Sequence, residues 1–169
     1  MDEKISKNVN NKQAIGVFDS GVGGLSIAQC ITDLLPDEEL IYVADSKFAP
    51  YGKLSTGDII KRVNHISDQL VAMNVKAIVI ACNTATVNAI DQLRQRIDIP
   101  IIGVEPAIKP AASNSKTKSV GLLVTQATAQ NKRFIALVDK YSNNTKVHIQ
   151  PCMLTRNKVT IYSLNISPH

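Results

Sequence analysis

Cys82-Asn83-Thr84 stands where a nearly continuous apolar run, Ala77-Ile78-Val79-Ile80-Ala81, gives way to a segment of helical pattern. A thiol at such a junction faces free backbone N–H groups and the positive end of a helix, both of which favour an anion. That placement predicts a lowered thiol pKa and a larger thiolate fraction. Asn83 and Thr84 add hydrogen-bonding groups able to hold a carboxylate or an ammonium. The plainer reading makes Cys82 a small buried residue closing a strand, with Thr84 or Thr86 capping the helix.

A second constellation is Asp19-Ser20-Gly21-Val22-Gly23-Gly24, after the apolar run Ala14 to Phe18. Its glycines let the backbone approach an anionic ligand closely, with Asp19 and Ser20 facing the cleft. The rival is a dinucleotide fingerprint, with Asp45 as the ribose-binding acid. That match is incomplete, because Ser26 occupies the third glycine position. Tyr51, in Pro50-Tyr51-Gly52, either closes over a substrate or is a half-buried loop aromatic. Cys30 falls on the apolar stripe of a helix and is expected in the core. Cys152, after Pro151, has a structural role or none. His65 lies off its helix's apolar stripe and is read as solvated, His148 sits in a strand and His169 is terminal. No His, Cys, Asp and Glu cluster suggests a metal.

These residues need elements to hold them. Strands are expected at 14–18, 40–44, 77–81, 99–104, 120–124 and 147–149. Helices are expected after the glycine-rich turn, from about Thr56, from the Cys82 segment to about Arg96, and from about Thr128 to Tyr141. The first helix carries Ile27, Cys30, Ile31 and Leu34 on one face and ends at Pro36. The second carries Ile59, Val63, Ile66, Leu70 and Met73. Repeated β-α-β order with short connections predicts an α/β fold, a parallel sheet flanked by helices. In such sheets ligands bind beyond the carboxyl ends of the strands, where all three polar constellations fall.

Composition narrows the function classes. The 169 residues suffice for one substantial core. Aromatics make up only 4% with no Trp, which argues against base-stacking nucleic-acid modules. The net charge of +5 is dispersed; Lys116 and Lys118, the nearest thing to a patch, lie in a loop. Nucleic acid is therefore not an expected partner. Apolar runs are far too short to span a bilayer, and residues 1–13 form a polar leader without a signal-peptide core. Three widely spaced cysteines give no disulfide framework, and a cytoplasmic location is expected.

Together the motifs resemble the glutamate racemase family of the aspartate/glutamate racemase superfamily. The resemblance rests on Gly16 to Leu25, Tyr42-Val43-Ala44-Asp45, Pro50-Tyr51-Gly52 and Ala81-Cys82-Asn83-Thr84-Ala85, with weaker continuations over 100–107 and 120–128. It implies two stacked α/β domains, no cofactor, glutamate as substrate, and two cysteines that flank the α-carbon. One thiolate removes the α-proton and the opposing thiol delivers one to the other face. By position Cys82 is the first of these, with Asp19 its supporting acid. Asp19, Ser20, Tyr51, Gly52, Asn83 and Thr84 would contact substrate, with Thr125 and Thr128 behind them. An aspartate or other acidic amino-acid racemase, and a non-catalytic α/β ligand-binding fragment, are the alternatives.

The sequence also departs from that family. The second cysteine of relatives lies in a Gly-Cys-Thr-His segment, and residues 1–169 contain none. The expected organisation is a first α/β domain over 14–104, a partial second over 105–152, and an unrelated tail over 153–169. A truncated or frameshifted reading frame is expected over a genuine divergent tail, and with it a chain that does not racemise glutamate. Missing strands would leave apolar edges that invite pairing with another chain, such as a homodimer.

Overall fold

The structure is a computed structural model that describes residues 12–142 and 144–152. Residues 1–11 of the leader and all of the 153–169 tail, including His169, lie outside the described residues. In chain order the elements are β1 (Ile15–Asp19), α1 (Leu25–Leu34), β2 (Leu40–Ala44), α2 (Thr56–Ala72), β3 (Ala77–Ile80), α3 (Asn83–Arg96), β4 (Ile101–Gly103), α4 (Ile108–Asn114), β5 (Ser119–Val124), α5 (Gln126–Ala129), α6 (Lys132–Tyr141) and β6 (Lys146–Pro151). Single 3-10 turns at Ser46–Phe48 and Tyr51–Lys53 shape the connection between β2 and α2.

The first sheet is parallel, in the order β2-β1-β3-β4. Strand β1 is buried along its whole length, as a central strand covered on both faces must be. Side chains alternate between those faces. Phe18, Ile78 and Ile80 point into a core with α2 and α3, whereas Ile15, Val17 and Val79 meet Ile27, Ala28 and Ile31 of α1. Helix α2 starts at Ser55, whose Oγ accepts the Asp58 N–H, and buries Ile59, Val63, Ile66 and Leu70. The predicted stripe stops there: Met73 is exposed at the helix end.

Cys30 is also exposed, against the expectation of a core position. Helix α1 touches the sheet through Ile27, Ala28 and Ile31, and buries no residue fully. Cys30 lies about 100° round the helix from the centre of that face, so the stripe read from spacing was one position too wide.

The second sheet pairs β5 with β6, again parallel. Ile108 of α4 and Phe134 of α6 are its buried anchors, joined by Val87 of α3 and packed by Leu122, Val124, Leu137 and Val138. Two differences from the sequence reading occur here. Helix α4 is not among the helices expected from the sequence; its Pro110 falls in the first turn, where a missing N–H costs little. The helix expected over Thr128 to Tyr141 is two helices, since Asn131 Oδ1 accepts from the N–H groups of Arg133 and Phe134 and starts α6 afresh. Apolar strand residues stay uncovered: Leu123 is 72% exposed, and Ile102 and Ile149 are exposed too.

Candidate functional site

Strand β1 stands at a topological switch, with β2 on one side and β3 on the other. Register fixes what emerges there. Phe18 pairs with Ile80, Ala81 N–H donates to Phe18 O at 2.8 Å, and Asp45 N–H donates to Asp19 O at 2.9 Å. Asp19-Ser20, Asp45 and Cys82 therefore leave their strands side by side. Of the three polar constellations read from the sequence, Asp19-Ser20 and Cys82-Asn83-Thr84 emerge directly at strand ends, whereas Pro50-Tyr51-Gly52 lies further along the connection after β2.

Cys82 is the N-cap of α3, and its Sγ accepts the Ala85 N–H at 3.4 Å. The cap is thus the cysteine itself, not Thr84 or Thr86. Its S–H donates to Ser20 Oγ at 3.4 Å, and the Ser20 hydroxyl donates to Asp19 Oδ1 at 3.5 Å. Asp19 Oδ2 accepts the Gly24 N–H at 3.0 Å. A line of hydrogen bonds runs from thiol through hydroxyl to a buried carboxylate.

The expected lowering of the thiol pKa is not what this environment produces. Burial, with 7% of Cys82 exposed, pushes the thiol pKa up and is the largest influence. Hydrogen bonds from Ser20 and the Ala85 N–H to the thiolate pull it down, and the nearby Asp19 charge pushes it up again. Desolvation wins over a single turn of helix N–H groups.

The glycine-rich turn wraps Asp19. A Cβ on Gly24 would lie 2.7 Å from Asp19 Cβ, 2.8 Å from Ala81 Cβ and 2.9 Å from Tyr42 Oη, so only glycine fits. Around Gly21, by contrast, there is open space. Tyr42 Oη donates to Gly21 O at 3.2 Å and ties the turn to β2. Burial, then the charges of Asp19 and Cys82, raise the Tyr42 pKa.

Asp45 is committed elsewhere. Its Oδ2 accepts from Tyr51 Oη at 2.6 Å and Arg62 Nε at 2.9 Å, and its Oδ1 from an Arg62 terminal nitrogen at 2.8 Å. Asp45 is buried and both its oxygens are engaged by Tyr51 and Arg62, so it is not presented to a ribose hydroxyl and the dinucleotide reading loses its acid. Tyr51 is buried with its hydroxyl spent on Asp45, and burial plus that bond push its pKa far up. The Pro50-Tyr51-Gly52 segment is therefore clamped.

On its far side Gly52 packs against Thr125, where an added Cβ would come within 2.6 Å of Thr125 Cβ. Thr125, Thr128 and Thr84 close a triangle of hydroxyls at 3.0, 3.2 and 3.0 Å. Thr84 is buried in that triangle, whereas Asn83 is exposed at the first position of α3. Beside Gly52 opens a cleft of about 620 Å³ lined by Lys53, Thr56, Gln126, Gln130 and Lys132. Asp19, Ser20 and Cys82 do not line it.

Of the residues singled out from sequence, Asp19, Ser20 and Cys82 meet directly. Thr84, Thr125 and Thr128 meet one another, and Gly52 joins them. Cys30 and His65 are at the surface, and Cys152 Sγ donates to Gln150 O within its own strand end. Arg62 and Tyr42 were missed as supports of the site. Nothing in an amphipathic helix marks one arginine among its polar positions as the partner of an aspartate 17 residues earlier. Among the described residues no group of three His, Cys, Asp or Glu is placed to hold a metal ion, and no helix is long and apolar enough to cross a membrane.

Comparison with known proteins agrees with this architecture. The family model for Asp/Glu/hydantoin racemases matches residues 24–162, continuing past Cys152 into the stretch read as unrelated. Glutamate racemase of Ectopseudomonas mendocina is 48% identical over 146 residues, 85% of this chain and 56% of that protein. The crystal structure of Escherichia coli glutamate racemase, in complex with L-glutamate and the activator UDP-MurNAc-Ala, superposes with a TM-score of 0.76 at 37% identity, covering 82% of this chain and 53% of that one. An aspartate racemase homologue from Pyrococcus horikoshii, at 16% identity and a TM-score of 0.54, shares the fold alone. The chain spans about half the length of the curated relatives it matches. With a match over most of its residues, the chain belongs to the Asp/Glu/hydantoin racemase family.

Proposed function

We propose that this chain carries one half of a glutamate racemase site, in which Cys82 exchanges a proton with the α-carbon of glutamate. The observation that carries the reading is the line from the Cys82 thiol to Ser20 Oγ to the Asp19 carboxylate at the switch point of the sheet. An α-hydrogen beside a carboxylate is very weakly acidic, so the base must be aimed at it and the developing charge must be supported. Cys82 is the base on one face. Asp19 orients the thiol through Ser20, and the free N–H groups at the start of α3, together with Asn83, receive the substrate carboxylate. Gly52, Thr84 and, behind them, Thr125 and Thr128 shape the wall, with the Tyr51 ring as part of it.

A thiol held neutral by burial suits this role in a particular way. It is protonated at rest, and becomes a strong base only when a cationic or hydrogen-bonding substrate offsets its desolvation. The ammonium group of glutamate is such a partner. Inversion needs a second acid on the opposite face, which in the resembling family is the cysteine of a Gly-Cys-Thr-His segment. The 169 residues by themselves are therefore expected to exchange the α-hydrogen without inverting the carbon.

Supply of D-glutamate to peptidoglycan, a cytoplasmic setting, independence of cofactors and pairing of two copies belong to the same reading. The exposed strand residues Leu123 and Ile149 support the pairing of two copies. We also assign the two sheets to separate α/β units dividing near residue 104.

The test is proton NMR of L- and D-glutamate in D2O with the chain and with Cys82→Ser. Loss of the α-hydrogen signal from one enantiomer, with its configuration kept and the rate abolished by the substitution, is expected. No exchange of either enantiomer, or exchange indifferent to the sulfur, would overturn the proposal. A binding fragment gives neither exchange nor inversion.

A further inference from the structure

We propose that Arg62 is a positioning residue for the Cys82 site, acting through Asp45 to set the segment that carries Tyr51 and Gly52. The inference rests on Cys82 being the reactive group of the chain. Arg62 sits on α2, outside every motif that suggested the site. Its guanidinium takes both oxygens of Asp45, at 2.9 and 2.8 Å, and stacks on the Phe48 ring with 3.9 Å to the centroid. Phe48 and Asp45 both belong to the connection between β2 and α2, so one side chain grips that connection at two points.

The grip passes to the site along two routes. Asp45 accepts the Tyr51 hydroxyl at 2.6 Å, and Tyr51 shares a core cluster with Cys82. Asp45 also donates its own N–H to Asp19 O, the residue whose carboxylate ends the line from the thiol. Beyond Tyr51, Gly52 abuts Thr125 of the hydroxyl triangle that includes Thr84. Arg62 therefore fixes how tightly the segment packs into the cluster it shares with Cys82. A planar fork is needed for this: a lysine supplies charge at one point, and neither spans both oxygens nor stacks flat on Phe48.

The experiment measures iodoacetamide alkylation of Cys82 from neutral to alkaline pH in the 169-residue chain, with Cys30→Ser and Cys152→Ser to leave one thiol. Arg62→Met, Arg62→Lys and the double variant Asp45→Asn with Arg62→Met are compared below their melting temperatures. Alkylation is expected to be about tenfold faster in Arg62→Met, because the segment opens locally, and intermediate in Arg62→Lys. The double variant removes the stranded charge, so its Tm returns towards that of the parent while its alkylation stays fast. A rate in Arg62→Met within about twofold of the parent would overturn the proposal. So would a double variant in which rate and Tm recover together, since that marks Arg62 as a stability element only. Glutamate α-hydrogen exchange in the parent reports separately on the reactivity of Cys82: its absence sinks that reading and leaves the alkylation comparison standing.

Discussion

The thiol of Cys82 and the hydroxyl of Ser20 lie 3.4 Å apart across the gap between the ends of β3 and β1, with the hydroxyl in turn on Asp19. The two residues are 62 positions apart in the chain. Parallel pairing of two strands, in register, makes the contact.

That contact gives the first prediction. Ser20 lowers the thiol pKa against the stronger upward push of burial. Replacing Ser20 with Ala removes the hydroxyl that would donate to the thiolate, so the midpoint of the Cys82 alkylation profile moves to higher pH. The folded state should be little disturbed, because Ser20 is only half-buried. An unmoved midpoint in Ser20→Ala would show that the hydroxyl does not touch the thiolate.

Stability should fall on the alkaline side. The Cys82 pKa is raised in the folded chain, so the folded state keeps a proton that the unfolded state releases. This contribution is fully present below the ordinary thiol value, about 8.5, and is lost as pH rises from there through the folded value. Tyr42 and Tyr51 act in the same sense from about pH 10 upward. Urea unfolding at a series of pH values should show the decline, and Cys82→Ser should flatten its first part. Equal slopes in the two proteins would contradict the assignment.

Two glycines of the same turn should differ sharply. Gly24→Ala drives a methyl against the Cβ atoms of Asp19 and Ala81, which the backbone at the ends of β1 and β3 holds in place, and against the Tyr42 hydroxyl. It should cost about 2–3 kcal/mol and weaken the placement of Asp19. Gly21→Ala meets nothing within 4 Å and should stay within about 0.5 kcal/mol of the parent. Thermal melts of the pair check this; equal effects would mean that the turn is packed differently.

Tyr51→Phe removes the hydroxyl that Asp45 accepts while the ring keeps its packing. Loss of a buried hydrogen bond to a carboxylate should cost about 2 kcal/mol, read as a lower urea midpoint with an unchanged slope. A neutral result would mean that Arg62 alone satisfies Asp45.

Much of this protein was legible from its residues in order. The strand β3 pattern, the helix after it and the cysteine between them follow from apolar continuity and its abrupt end. The stripe from Ile59 to Leu70 follows from helical period, and the parallel sheet from β-α-β alternation. Types and spacings along the chain are enough for these, because each depends on neighbours within a few residues. The titration of Cys82 was decided otherwise. Sequence placed the thiol at a helix start, which lowers a pKa; folding buried it in the core cluster that also holds Tyr51, and the loss of water outweighed the helix. The exposure of Cys30, the restart of α6 at Asn131 and the spending of Asp45 on Arg62 were settled in the same way. Each depends on which distant surfaces come together and what solvent they exclude, and water excluded by packing leaves no mark on the local pattern of residues.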